Sequence, residues 1–310
     1  MARLLIWRVS ADMVADNPIA GLGVGQFNQH YMLYQADYFK QHPDSDFLMV
    51  ADNAAYPYNE ILHVLIEQGL IGLIALGVLI VVVCLMATDK TLLAPFVAML
   101  VFSCFSYPSY KLGLLVLFPI SLGIISSKKS LEMHARWAYI GTIGLWGVTS
   151  FAIITGWNFS HEARRCFRRL MQSYDTLSAD FVTEQFDRLH VDSRFNTMYL
   201  LGMMKYPQKM ADKTRFRHIT PTCENWCDIG DYYTDQGAFH RTEEYYRTAA
   251  LMLPTRLTPN YRLWKLYLHQ GRSNEAEKMA LHILNQPLKV ENTFTIRAKN
   301  EVRIKLGKKF

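Results

Sequence analysis

From Arg3 to about Val14 apolar residues recur at helical spacing, with Leu4, Trp7, Ala11 and Val14 on one face. Asp16-Asn17-Pro18 stops that helix. A second helical stretch, rich in tyrosine, runs from His30 to about Phe39, and Gln41 to Asn53 reads as a polar loop. Four apolar segments follow: Leu62 to Ala87, Leu92 to Tyr107, Leu112 to Ser126 and Trp137 to Trp157. The first is long enough to cross a bilayer with room to tilt. The second and third are near the lower limit, and Pro119 interrupts the latter. They read either as two short spans or as a re-entrant hairpin around Tyr107-Pro108-Ser109-Tyr110-Lys111. The fourth has an aromatic residue at each end, as interfacial belts do. Beyond Phe159 the pattern is helical, charged and soluble.

One period stands out in that soluble part. Trp226, Ile229, Gly230, Tyr233, Gly237, Tyr246, Ala249 and Pro254 fit a tetratricopeptide repeat. A shift of about 34 residues sets Leu263, Tyr267 and Gly271 opposite Ile229, Tyr233 and Gly237, with Ala276 at the small position and Pro287 at the end. Small residues let paired helices approach, and aromatics fill the groove between them. Phe159 to about Asn196 is expected to hold earlier, degenerate pairs.

The polar positions concentrate where the first apolar run begins. Tyr56-Pro57-Tyr58-Asn59-Glu60-Ile61-Leu62-His63 leads directly into it, and Asn59, His63 and Glu67 share one helical face. From Leu70 to Val83 every residue is apolar or glycine. A polar stripe at the mouth of a span is costly unless it faces protein or water, which makes this mouth a candidate site. The plainer reading is an interfacial helix entry anchored by tyrosines. Gly21, Gly23 and Gly25 form a glycine-alternating turn whose backbone amides could approach a phosphate, or which is an ordinary loop. Asp44, Asp46 and Asp52 suggest a cation or an acid/base pair, with a solvated loop as the commoner explanation.

Composition changes this picture little. The net charge of +6 forms no block of the kind that binds nucleic acid. Its densest cluster, Arg164-Arg165 with Arg168-Arg169, follows a span, where anionic headgroups are the simplest partner. The five cysteines have no zinc-site spacing, so no metal is expected.

Several short motifs, taken in order, resemble the O-antigen ligase and polymerase family: Arg3 and Trp7, Asp16-Asn17-Pro18, the glycine turn with Phe27, and Asn59-Glu60 with Glu67, Gly69 and Gly72. Ser106-Tyr107-Pro108 resembles a further motif of the Bacteroidetes branch. That branch carries a tetratricopeptide-like tail, resembled here by Leu253-Pro254-Thr255-Arg256 with Pro259-Asn260-Tyr261, and by Leu284 to Val290. The resemblance implies a multi-span glycosyltransferase of the bacterial inner membrane, acting without metal or other cofactor. It would transfer a glycan from undecaprenyl diphosphate to lipid A-core sugar, another glycan or a protein hydroxyl. It also implies that residues 1 to 59 and the repeat domain face the periplasm. Arg3 matches the family's arginine before the tryptophan and is the candidate for diphosphate binding, a task that suits a bidentate guanidinium. Many family members have His directly before the Asn; here Tyr58 stands there, and a neutral phenol is a poor base. His63, one turn past Asn59, is the nearest replacement, or is simply a helix histidine. Since the family has about ten or more spans, the chain is expected to be the C-terminal part of a longer protein.

The resulting expectation is an all-α protein: a multi-span helical membrane region followed by a soluble α-solenoid. Residues 1–59 form a periplasmic loop region with short helices, 60–157 about four spans, and 158–310 a tetratricopeptide-like domain. Candidate site residues are Tyr58, Asn59, Glu60 and His63 for catalysis, with Arg3, Gly23 and Gly25 for substrate. Expected partners are the lipid-linked glycan, its acceptor, membrane lipids and, through the repeats, a protein. The alternative is a membrane-anchored interaction module without catalysis.

Overall fold

The structure, a computed structural model, describes residues 1–86, 93–107 and 220–307. Among these the fold is all-helical: α1 (Ala2–Asp16), α2 (Phe27–Gln41), a 3-10 turn (Leu48–Val50), α3 (Glu60–Met86), α4 (Leu93–Ser103), α5 (Cys223–Asp235), α6 (Phe239–Met252), α7 (Leu257–His269), α8 (Ser273–Asn285) and α9 (Thr293–Gly307). The spans expected at Leu112–Ser126 and Trp137–Trp157, and the helix pairs expected between Phe159 and Asn196, lie outside the described residues.

Two compact units divide the described chain. One holds Met1–Leu76, Ser103–Tyr107 and the helices from residue 220 onward; the other holds residues 77–86 and 93–102. In the second unit, Val83 of α3 packs against Phe96 of α4, with Ile80, Leu93 and Leu100 around them. α3 is long and apolar enough to cross a membrane, and only 17% of its apolar window is buried inside the protein.

In the first unit α1 packs on α2 through Leu5, Ile6, Val9 and Met13, against Phe27, Tyr31, Met32 and Phe39. This is not the face read from Leu4, Trp7, Ala11 and Val14: Leu4 and Ala11 are exposed. α1 has apolar residues nearly all round, so the partner helix, rather than the spacing, selects which stripe is buried.

The chain from Asn17 to Gln26 then meets α3 at a break. Gly69 has φ 64 and ψ −158, so α3 is two helical segments joined at a kink. Without the helical path there, Leu70 and Ile71 cannot donate to Ile66 and Glu67, and four backbone groups lose their partners. The segment from Pro18 to Gly23 supplies all four. Leu22 N–H donates to Ile66 O at 2.8 Å and Gly23 N–H to Glu67 O at 2.9 Å. In return Leu70 N–H donates to Pro18 O at 2.9 Å and Ile71 N–H to Ile19 O at 3.2 Å. The two backbones approach so closely that a Cβ at Gly21 would run into Glu67, and one at Gly69 into Ile19.

The C-terminal helices recur at the spacing read from the sequence. α5 and α7 begin at Cys223 and Leu257, and α6 and α8 at Phe239 and Ser273. Thr222 caps α5 by accepting from Asn225 N–H at 3.1 Å. Gly230 faces the Tyr246 ring, which leaves no room for a side chain. Ala276 and Ala280 of α8 lie in one core with Trp264 and Tyr267 of α7 and with Ala298 and Val302 of α9.

Residues 1–59 and the C-terminal helices share a hydrophobic core. Cys223, Cys227, Ala249, Met252 and Leu253 lie in the same cluster as the α1–α2 residues. Gln35, wholly buried, accepts from Tyr31 OH at 2.8 Å and donates to Met252 O at 2.7 Å. Lys289 bonds Asp52 Oδ2 at 2.8 Å and Ala51 O at 3.2 Å.

Two outcomes are expected. Gly21→Ala and Gly69→Ala each lower stability by roughly 2 kcal/mol or more, since positive φ and a backbone clash act together. Gly77→Ala, whose Cβ would meet nothing within 4 Å among the described residues, is neutral or stabilising by up to ~1 kcal/mol. Thermal unfolding of the detergent-solubilised protein checks the contrast. The second concerns Glu243. Burial raises its carboxyl, but hydrogen bonds from Arg272, Arg247 and Tyr267 outweigh this and lower it to about 2. The folded value lies below the ordinary 4.5, so the stabilisation is present above that pH and lost as pH falls towards 2. The thermal midpoint should drop across this interval, and Glu243→Gln should flatten that part of the profile.

Candidate functional site

The mouth of α3 is built by its own start signals. Asn59 is the cap: its Oδ1 accepts from Leu62 N–H at 3.0 Å, and its carbonyl accepts from His63 N–H at 2.9 Å. Glu60 follows in the first turn, where a negative charge favours the positive helix end. Tyr58, just before the cap, has φ 55, a left-handed conformation unusual for an aromatic residue. Its surroundings hold it there. Trp7 Nε1 donates to the preceding Pro57 O at 2.9 Å, and the Tyr58 ring meets the edge of Tyr107 at 5.2 Å. Tyr107 also stacks on Tyr56 at 4.7 Å.

Arg3 reaches this aromatic group from α1. Its guanidinium lies 5.4 Å from the Tyr58 ring centroid and donates to Phe105 O at 3.1 Å. Arg3 itself remains exposed.

One turn into α3, His63 stands between two carboxylates. Its Nδ1 lies 3.5 Å from Glu60 and its Nε2 3.1 Å from Glu67. With acceptors on both sides, both ring nitrogens can be satisfied as donors, which is the arrangement of an imidazolium. Phe27 covers the ring edge-on at 6.2 Å.

Glu67 organises this cluster and is only 6% exposed. Besides His63 it accepts from Phe27 N–H at 3.3 Å and faces the Gly25 amide. It thereby satisfies amides at the start of α2, which begins at Phe27 rather than at the expected His30. Glu67 was legible as part of the polar stripe, four residues past His63, but its partners across the chain were not.

The candidate residues thus fall into two adjoining groups. Arg3 and Tyr58 sit with Trp7 and Tyr107; Glu60 and His63 sit with Glu67 and the glycine turn; Asn59 joins them as the cap. The amides of Gly23 and Gly25, read as a phosphate cradle, are directed to the backbone and carboxylate of Glu67. Of the loop carboxylates, Asp52 pairs with Lys289. Among the described residues no group of three His, Cys, Asp or Glu side chains is placed to hold a metal ion.

Replacing Glu67 tests the clamp. Glu67→Ala leaves His63 and the Phe27 amide without this carboxylate, and breaking such a buried pair costs about 3 kcal/mol or more. Hydrogen exchange across residues 22–30 should accelerate. Unchanged exchange in that segment would show that Glu67 does not hold the turn.

Neither curated proteins nor solved structures show a match to the chain. Residues 1–77, which contain α1, the glycine turn, α2 and the mouth and break of α3, match the family described as O-Antigen ligase, and this supports that family for the part of the chain that carries the candidate site.

Proposed function

We propose that the chain is part of an O-antigen ligase-like glycosyltransferase, which moves a glycan from undecaprenyl diphosphate to lipid A-core sugar or another hydroxyl acceptor. The observation that carries this reading is the coincidence of the family match with the gathered mouth residues. Residues 1–77 include Arg3, Tyr58, Asn59, Glu60 and His63, at the polar entry of a membrane-length helix. In this reading the acceptor oxygen attacks the anomeric carbon, the bond to the diphosphate breaks, and the acceptor proton passes to a carboxylate. Glu60 is our choice of base. Tyr58 offers a neutral phenol, and His63 has both nitrogens turned to carboxylates. Arg3, exposed beside Tyr58, would meet the diphosphate charge as it leaves. Asn59 would set the direction of Glu60 by capping the helix, and Gly23 and Gly25 would act through Glu67.

The reading places the protein in the bacterial inner membrane with several spans. Residues 1–59 and the C-terminal helices are on the periplasmic side, and α5–α8 are tetratricopeptide-like repeats. The shared core of α2 with α5 and α6 supports putting both on one side.

The test is complementation of a ligase-deficient host by the longest in-frame form of the gene, scored by glycan attached to surface lipid. Arg3→Ala and Glu60→Gln should each reduce attachment by about 100-fold or more at equal protein abundance. Loss with His63→Gln but not with Glu60→Gln would move the base to His63. No restoration from a well-expressed protein would remove the transferase reading in favour of a membrane-anchored interaction module.

A further inference from the structure

We propose that the loop Pro18–Val24 is a lipid-facing anchor seated at the membrane interface, which holds the Glu60–His63–Glu67 cluster at headgroup depth. The inference rests on α3 crossing the membrane.

The position of the loop along α3 is fixed by the four backbone hydrogen bonds to Ile66, Glu67, Leu70 and Ile71. A hydrocarbon core about 30 Å thick takes about 20 residues of helix at a rise of 1.5 Å. The apolar sequence of α3 continues through Met86 and Ala87 and becomes charged at Asp89 and Lys90. Counting that length back from Met86 reaches Glu67, level with the loop. Tilt lengthens the crossing segment and moves the loop deeper.

The chemistry of the loop agrees with this depth. No residue from Asn17 to Gln26 is charged. Ile19 is 65% and Val24 77% exposed, and Leu70 and Ile71 of α3, whose amides bond Pro18 and Ile19, are exposed as well. Together they continue the apolar surface of α3 outward onto the turn, as an interfacial segment does. Irregular backbone at such depth is tolerated only where its polar groups find partners. Here the loop and the broken helix satisfy each other, and Gly21 N–H donates to Asn17 O at 3.2 Å. A carrier lipid holds its diphosphate at the headgroup level. An anchored loop would therefore keep His63 and its carboxylates at the depth of the bond to be broken.

The experiment uses the full chain in phosphatidylethanolamine–phosphatidylglycerol vesicles, with native cysteines replaced by alanine and an environment-sensitive fluorophore on one new cysteine. The variants are I19C and V24C, with L79C as the marker of the span and E277C as the marker of water. Only proteins whose thermal midpoint equals that of the parent are compared. The expected result is that Ile19 and Val24 labels are blue-shifted, lose quenching by aqueous iodide, and are quenched by lipids spin-labelled near the headgroup. The Leu79 label should respond to spin labels deeper in the chain. Iodide quenching of both loop labels to the level of E277C, with Leu79 still in lipid, overturns the anchor alone. Loop labels shielded from iodide and lipid alike show protein cover, and also overturn it. Iodide quenching of the Leu79 label removes the span and the anchor with it.

Discussion

The exchange of backbone hydrogen bonds between the Pro18–Gly23 turn and the broken helix at Gly69 is the constraint on which the rest depends. A helix interrupted inside an apolar run loses bonds that are expensive to leave unmade, because little water is available to replace them. The turn takes up both released carbonyls and both released amides. This works only if the two backbones nearly touch, so a glycine is needed on each side of the contact, at Gly21 and at Gly69. The same approach sets where α2 begins. With the turn bound to Ile66 and Glu67, the Phe27 amide arrives at the Glu67 carboxylate, and Glu67 in turn holds His63. A helix defect and an ordered charge cluster thus have one cause.

The site is braced from two further directions. Asn59 fixes the start of α3, while Trp7 and Tyr107 hold Pro57 and Tyr58 in the path leading to it. From the C-terminal side, the buried Gln35 bonds α2 to the end of α6, and Lys289 holds Ala51 and Asp52 near the start of the loop that runs to Tyr58. A buried amide that lost its partners would cost about 1–3 kcal/mol, so Gln35 ties the two parts together with direction as well as packing. The C-terminal helices therefore belong to the scaffold of the mouth.

Much of this molecule is legible in residue type and spacing. Helical periodicity located α1 and α2, uninterrupted apolarity located α3, and the 34-residue recurrence of small and aromatic positions located α5 to α8. The polar stretch from Tyr56 to His63 leading into an apolar run marked the start of α3, and the order of short motifs pointed to the family that residues 1–77 match. These are local signals, written in residue type and spacing, so they can be read without knowing what touches what. The tertiary structure alone decided which stripe of α1 is buried, that Gly69 breaks α3, and that the amides of the glycine turn serve Glu67. It also decided that the first 59 residues share a core with the last helices. Each depends on a partner distant in the chain, and neither periodicity nor motif spacing encodes which distant groups will be brought within hydrogen-bonding reach.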